Sequence, residues 1–282
     1  MSKMDGKHTF DTETGKFRVY RHKNPNIFRK LNEYGSHEGG NISILLKILP
    51  FNCNIYDIGA HIGIFSVALA RNLGPDTRVW AFEGEIENFR DLDFNICLND
   101  LSDRVFPRNA VVYGKAGVKF VSYGGQRNFA RTKFQPTSDE SGLVSISVDE
   151  VRKELPAPDF IKIDVEGMDV DVLRGSLKTI SQDRPIILFE THAADKDLTE
   201  IIEELRKINY DCFVNSGEIE GSNPLWRLGC ANLFDAYKCF QDVFVIPKER
   251  LPSIKIESSL SVAWSKKREI LLRALKRNLR RL

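Results

Sequence analysis

Two observations predict an α/β fold built on a mostly parallel sheet with helices on both faces. From Asn54 onward, short apolar runs of strand length alternate with segments of helical period, and an acid-and-glycine loop joins the first strand to the first helix of that series. A third observation bounds the size. The 282 residues, 42% of them apolar, supply one large core with additions. Residues 1–50 read as an N-terminal extension, 51–250 as the α/β domain with an insert near 114–143, and 251–282 as a basic amphipathic tail.

The first cycle is a strand at Ile55-Tyr56-Asp57-Ile58, a glycine turn, and a helix from Ile62 to Asn72 closed by Gly74-Pro75. A strand at Arg78 to Phe82 and a helix from Glu85 to Leu98 make the second, and a third strand spans Val105 to Val112. The stretch from Gly114 to Leu143, rich in glycine, serine and aromatics, breaks the alternation and reads as an inserted hairpin or lid. The cycle then resumes with strand Phe160 to Asp164, helix Val170 to Ile180, strand Pro185 to Glu190 and helix Leu198 to Ile208. Final strands at Tyr210 to Val214 and Val243 to Ile246 bring the total to seven. The first fifty residues show no clear period beyond a short helix at Ile42 to Leu49. At the far end, Leu271, Leu275, Leu279 and Leu282 share one helical face of a segment that is otherwise strongly basic.

Lysine plus arginine total 41 against 39 aspartate plus glutamate, so no global field draws the chain to nucleic acid or anionic lipid. Cysteines 53, 97, 212, 230 and 239 contain no C-x-x-C pair and are expected to be reduced, buried thiols. The first residues lack the apolar stretch of a secretory signal, and no run reaches membrane-spanning length, which predicts a cytoplasmic protein. The terminal basic segment is either a solvated or dimer-forming tail or a peripheral contact with an anionic membrane.

The loop Tyr56-Asp57-Ile58-Gly59-Ala60-His61-Ile62-Gly63 places an acid at the end of a buried strand and two glycines around the turn into a helix. Dinucleotide sites use G-x-G-x-x-G so that helix N–H groups face pyrophosphate. Here an acid stands where the first glycine belongs. It would repel pyrophosphate but can pair with the cationic amino group of a methionine-like moiety, so the loop favours S-adenosylmethionine over NAD. Glu83, ending the second strand, lies where an acid grips ribose hydroxyls in nucleoside-binding α/β folds. Asp57, Gly59, Ala60, His61, Gly63, Glu83, Asn109 and Asp164 form the expected cofactor set.

These residues, with Asn88, Asn95 and Asn99 after Ala81-Phe82-Glu83, resemble the FkbM family of methyltransferases. Asp159-Phe160-Ile161-Lys162-Ile163-Asp164-Val165-Glu166-Gly167-Met168-Asp169 and the strand Ile187-Leu188-Phe189-Glu190-Thr191-His192 are similar to that family's later segments. The resemblance covers about Ile55 to His192. It departs at His61, where asparagine is usual, and at Gly84, where proline is common. It implies a class I, Rossmann-like methyltransferase with a mostly parallel seven-stranded sheet, acting on a hydroxyl of a sugar, glycan or secondary metabolite.

Methyl transfer to a hydroxyl needs a positioned acceptor and a base. Asp164 and Glu166 leave the fourth strand and His192 the fifth, so these three are the catalytic candidates. Each also has a structural reading: pocket shaping for Asp164, helix capping for Glu166, packing for His192. Lys162 is expected to pair with an acid on its own strand face. Magnesium assistance is an open alternative, but no dedicated metal-ligand set is assigned. Tyr123, Phe129 and Phe134 are placed either on the acceptor or in the core of the inserted hairpin. The rival readings are a nucleic-acid or protein methyltransferase on the same fold, a dehydrogenase, and a non-catalytic nucleoside-binding protein. The near-neutral charge argues against a nucleic-acid partner.

Overall fold

The computed structural model describes residues 6–124, 132–191, 198–215 and 241–253. An N-terminal hairpin, β1 (Lys7–Thr12) and β2 (Gly15–Tyr20), is followed by helices α1 (Pro25–Tyr34) and α2 (Gly39–Ile48). The alternating series then runs β3 (Asn54–Ile58), α3 (Ile64–Asn72), β4 (Arg78–Glu83), α4 (Ile86–Leu98) and β5 (Val105–Asn109). The insert contributes β6 (Lys119–Gly124), β7 (Thr132–Pro136) and β8 (Leu143–Val144), which form a three-stranded antiparallel sheet of order β7-β6-β8. Next come α5 (Val148–Val151), β9 (Phe160–Ile163), α6 (Asp169–Arg174), α7 (Leu177–Asp183), β10 (Ile186–Thr191), α8 (Leu198–Lys207), β11 (Tyr210–Asn215) and β12 (Gln241–Pro247).

The main sheet has seven strands in the order β11-β12-β10-β9-β3-β4-β5. Only β12 runs antiparallel to its neighbours. The chain winds outward from β3 through β4 to β5, then returns to place β9 on the other side of β3. That reversal opens a crevice at the carboxyl ends of β3 and β9, where open α/β sheets bind ligands.

Side-chain alternation divides the sheet between two cores. Ile55, Val79, Ala81, Phe160, Ile186, Leu188, Phe244 and Ile246 face the core shared with α2, α3 and α4. Tyr56, Trp80, Phe82, Ile161, Ile163, Ile187, Phe189, Val243 and Val245 face the core shared with α5 to α8. Strands buried on both faces explain why they read as continuous apolar runs.

Three expectations are corrected. The helix foreseen across Val170 to Ile180 is two helices: between them the Gly175 carbonyl accepts Asp149 N–H at 3.0 Å, and the backbone of Gly114 packs so close that a Cβ at Gly175 would meet it at 2.8 Å. The third strand ends at Asn109 rather than Val112, since Val111 and Tyr113 exchange backbone hydrogen bonds with Ile146 instead of continuing the main sheet. Cys97 is exposed, whereas Cys53 and Cys212 are buried free thiols as foreseen. The tail leucines, His192, Phe129, Cys230 and Cys239 lie outside the described residues. Among the described residues no helix is long and apolar enough to cross a membrane.

The N-terminal residues are built into the domain. Phe17, Val19, Ile27, Leu31, Ile42 and Leu45 belong to the same core as α3. Two asparagines, Asn95 of α4 and Asn99 at its C-cap, act as a surrogate strand for the open edge of β2. Lys16 N–H donates to Asn99 Oδ1 at 2.8 Å and Asn99 Nδ2 to Lys16 O at 2.7 Å. Arg18 N–H donates to Asn95 Oδ1 at 2.8 Å. Asn95 Nδ2 also reaches the carbonyl of Ile62 at 2.9 Å, so one fully buried amide ties the hairpin to the glycine loop. Removing it strands buried backbone groups on both sides. Asn95→Ala is expected to lower stability by about 2–3 kcal/mol in urea unfolding, above the roughly 1 kcal/mol of an ordinary surface hydrogen bond.

Candidate active site

The alternation that builds the cores also gathers the polar groups. Asp57 on β3, Glu83 on β4, Lys162 on β9, Glu190 on β10 and Asp242 on β12 share parity with the strand residues that face the α2–α4 core. All stand toward the carboxyl edge of the parallel strands, with Asp164 just past β9. They surround, or lie immediately behind, a cavity of about 660 Å³.

Lys162 holds the floor together. Its side chain is only 6% exposed; the ammonium lies 3.5 Å from Asp57 Oδ1 and 3.2 Å from Asp164 Oδ2, and donates to the Gly59 carbonyl at 3.1 Å. Burial works against the charge, but the two carboxylates outweigh it and hold the lysine above its usual range. Asp164 experiences the reverse: desolvation raises its carboxyl, and Lys162 overcomes this to hold it below the ordinary value. The Asp164 side chain is 39% exposed to the cavity, so solvent moderates both effects.

Asp57 is 1% exposed and does not line the cavity; its second oxygen accepts the Ser66 hydroxyl at 2.6 Å. Gly59, Ala60 and His61 do line it. Gly59 has φ +76°, and a Cβ would fall 1.8 Å from the Asp164 carbonyl, so glycine is required by the approach of two protein segments. The N–H groups of Gly59 and Ala60 both donate to Phe82 O, which ties the loop to β4. Gly63 caps α3 behind the cavity wall.

Glu83 sits in a fork of backbone donors, with His61 N–H at 2.8 Å on one oxygen and Glu85 N–H at 2.7 Å on the other. Burial nevertheless pushes its carboxyl up to about 7, against those two bonds. Asn109 donates to the carbonyls of Glu83 and Gly84 at 2.8 and 3.1 Å and so fixes the turn from outside the cavity. His61 has φ +52°, and its Nε2 is buried without a hydrogen-bond partner; burial lowers its basicity to about 3.

Glu166 lines the cavity from a left-handed backbone at φ +51°. The loop before α6 is capped instead by Asp169, which accepts Val165 N–H and Gly167 N–H at 3.3 and 3.1 Å. His192 lies outside the described residues. Among those residues no group of three or more His, Cys, Asp or Glu side chains is arranged to hold a metal ion.

Several cavity residues carried no assignment in the sequence. His37 and Glu38 descend from the turn between α1 and α2, which has no periodic signal, and burial lowers His37 to about 4. Asp242 is the second residue of the antiparallel strand β12, and Asn41 Nδ2 donates both to it at 2.7 Å and to Glu38 at 3.0 Å. Glu190 stands one residue before the end of β10, close to the place Glu83 takes at the end of β4, so the strand-end argument applied to Glu83 would have found it. On the opposite wall the inserted sheet brings Phe134 over Gly84. A Cβ at Gly84 would lie 2.6 Å from that ring, so glycine, in place of the proline foreseen for the family, makes room for it.

A doubly wound sheet of this order, with an acid-glycine loop at the reversal and an acid ending the next strand, defines a class I, Rossmann-like methyltransferase fold. The Methyltransferase FkbM domain matches residues 57–212, more than half of the chain. The protein belongs to the FkbM methyltransferase family. Its relatives include hexuronic acid methyltransferase AglP of Haloferax volcanii, 25% identical over 181 residues that span 58% of this chain and 67% of the relative. Methyltransferase sdnD of Sordaria araneosa is 28% identical over 160 residues, 45% of this chain and 61% of that one. A crystal structure of an FkbM methyltransferase from Methylobacillus flagellatus KT aligns with a TM-score of 0.45 and 17% identity, covering 69% of this chain and 44% of that chain.

Two predictions follow from the floor of the cavity. Lys162→Met leaves Asp57 buried without its counter-charge and is expected to destabilise the protein by about 3–5 kcal/mol; adding Asp57→Asn should recover much of that in denaturant unfolding. The second concerns Glu190, which is pushed up to about 10 by burial and then by the charges of Asp164 and Asp242. In the unfolded chain this carboxyl ionises near 4.5, so between about pH 7 and 8.5 the folded state keeps a proton that the unfolded state has lost. Stability therefore falls as pH rises through that window, where His37 and His61 are neutral when folded and about three quarters or more neutral when unfolded. The Tm of the ligand-free protein is expected to decline across the window, and Glu190→Gln to flatten the slope.

Proposed function

We propose that the protein binds S-adenosylmethionine and transfers its methyl group to a hydroxyl of a sugar, glycan or related polyhydroxylated metabolite. The observation that carries the reading is the division of the cavity. On one side lie the Glu83 fork and the apolar Ala110, Val111 and Phe134, suited to ribose and a purine face. On the other lie Glu38, Asp164, Glu166, Glu190 and Asp242, a wall of hydrogen-bond acceptors with Lys30 and His37 at its margin.

The donor set fits the cofactor on its own geometry. Both oxygens of Glu83 are oriented by main-chain N–H groups and retain lone pairs for the two ribose hydroxyls. Asp57 acts from behind, holding Lys162 and Ser66 and through them the loop. Asp164, facing the cavity, is the carboxylate at hand for a cationic amino group or sulfonium. When bound, the cofactor supplies an electrophilic methyl; the chain's residues orient the acceptor and accept its proton. His61 presents a neutral imidazole at the loop, and Glu166 and His192 stand as further base candidates.

The carboxyl groups of Glu38, Asp164, Glu166, Glu190 and Asp242 suit an acceptor rich in hydroxyl donors, which supports a small or glycan acceptor. The Haloferax volcanii relative is named a hexuronic acid methyltransferase, which agrees with a carbohydrate acceptor.

Calorimetry with S-adenosylhomocysteine tests the cofactor half. Glu83→Gln is expected to weaken binding about tenfold or more, consistent with loss of charge-assisted hydrogen bonds. Ribose hydroxyls select ionised Glu83, which the free protein protonates below about pH 7, so affinity should fall by up to roughly tenfold per unit below that point. An unchanged affinity in the variant would remove Glu83 from the site. Methyl transfer from labelled S-adenosylmethionine to a panel of sugars and glycosides, with tRNA and histone peptides beside them, tests the acceptor half; label entering only nucleic acid or peptide would reject it.

A further inference from the structure

One side of the cavity carries both signs of charge at close quarters. Beside Glu38, Asp164, Glu190 and Asp242 it is lined by Lys30 of α1 and His37 of the α1–α2 turn. Lys30 Nζ lies 3.3 Å from His37 Nδ1. An ammonium only donates, so Nδ1 accepts, and the imidazole, which burial keeps neutral, carries its proton on Nε2. The ammonium has three N–H donors, and the bond to His37 uses one. The pair is therefore a set of donors with one positive charge. Glu38 Oε1 stands 3.7 Å from the same ring nitrogen.

The topology sets where this mixed group lies along a bound methyl donor. Asn41 joins Glu38 to Asp242, and Asp242 faces Glu190 in the register of β12 and β10, so the turn is fixed over those two strands. Glu83 ends β4, on the far side of β9 and β3 from them. Ala110 and Val111 follow β5, beyond Glu83, and draw the adenine that way. The amino-acid chain leaves the opposite end of the ribose and so runs across β3 and β9 toward the α1–α2 turn. A neutral polyol has no use for a cation set among acids, and a simple anion at Lys30 would be opposed by Glu38. A zwitterion satisfies both signs. The other cations on the cavity are placed less well for it. Arg29 is half exposed and bonded to Glu33 at 2.9 Å, Lys133 stands next to Phe134 on the adenine side, and Lys162 is engaged by Asp57 and Asp164 in the floor.

We infer that Lys30 and His37 hold the α-carboxylate of the methyl donor, with its α-ammonium turned to the neighbouring acids, so that the N-terminal segment completes the cofactor site from outside the matched residues 57–212. This rests on the reading of the cavity as a site for S-adenosylmethionine. Lys30 acts in binding and takes no part in the transfer. Glu166 and Glu190 are left to the acceptor. The fold-back of the first helices then has a chemical purpose: the doubly wound core binds the nucleoside, and the added segment recognises the amino-acid end.

The test is a binding measurement on the full chain and needs no acceptor. S-adenosylmethionine and its decarboxylated form differ only in the carboxylate, so calorimetry with both isolates that group and cancels the contributions of Glu83 and adenine. The wild type is expected to prefer S-adenosylmethionine by about tenfold or more, the scale of one hydrogen-bonded ion pair. Lys30→Met should weaken S-adenosylmethionine by a similar factor and leave the decarboxylated ligand within about twofold, and Lys30→Arg should restore most of the preference. Equal affinity of the wild type for the two ligands overturns the proposal without any variant. So does a Lys30→Met protein that keeps the full preference, or one that loses affinity for both ligands alike. A wild type that binds neither ligand would reject the cofactor reading itself, and the proposal with it.

Discussion

The ammonium of Lys162 is the interaction on which the site is assembled. It lies at the reversal of the sheet, where β3 and β9 run side by side, and joins Asp57, Asp164 and the Gly59 carbonyl across that seam. A buried lysine is tolerable only with such partners, and a buried aspartate such as Asp57 only with such a lysine. Each is thus the condition for the other, and the glycine loop between them is fixed by both. The ring of Phe65 on α3, 5.2 Å from the ammonium, closes the remaining side.

From that seam the cavity is walled by segments of different origin. The glycine loop and the ends of β4 and β9 belong to the doubly wound core. The N-terminal residues reach it by a longer route, locked to α4 through Asn95 and Asn99 so that the α1–α2 turn hangs over the acids. The inserted sheet reaches it from the other side, where Phe134 rests on Gly84. The two additions to the fold therefore bracket the crevice. Its acid-rich side faces the N-terminal segment, and its apolar side faces the insert. Left-handed backbone at Glu38, His61 and Glu166, all at the cavity, shows where the surrounding structure imposes conformations that isolated residues resist.

The order and type of elements from Ile55 onward were legible because each strand is apolar on both faces and each helix begins near a turn residue. Boundaries failed where another segment intervened: at Gly175, crowded by Gly114, and at Val111, drawn away by Ile146. Glu83 was legible because it ends a strand at a known distance from the loop, and Lys162 because alternation places it beside its acids. Asp57 was legible as a site residue, but the direction of its carboxylate, inward to Ser66 and Lys162, depends on contacts made nine and more than a hundred residues away. His37, Glu38 and Asp242 left no local trace, since their only pattern is convergence.

The sequence by itself determined the α/β class, the seven-strand series, the loop, and the parity that puts Asp57, Glu83, Lys162 and Glu190 on one face. Period-2 and period-3.6 burial are properties of the local chain. Only the tertiary structure decided which acids meet, because cross-strand register and the fold-back of residues 16–41 join positions up to 201 residues apart, as Asn41 and Asp242 are. The protonation of the acid wall belongs to that second category. A carboxyl's affinity for its proton is set by burial and by the charges it faces, and those are fixed when β10, β12 and the α1–α2 turn close on the same crevice.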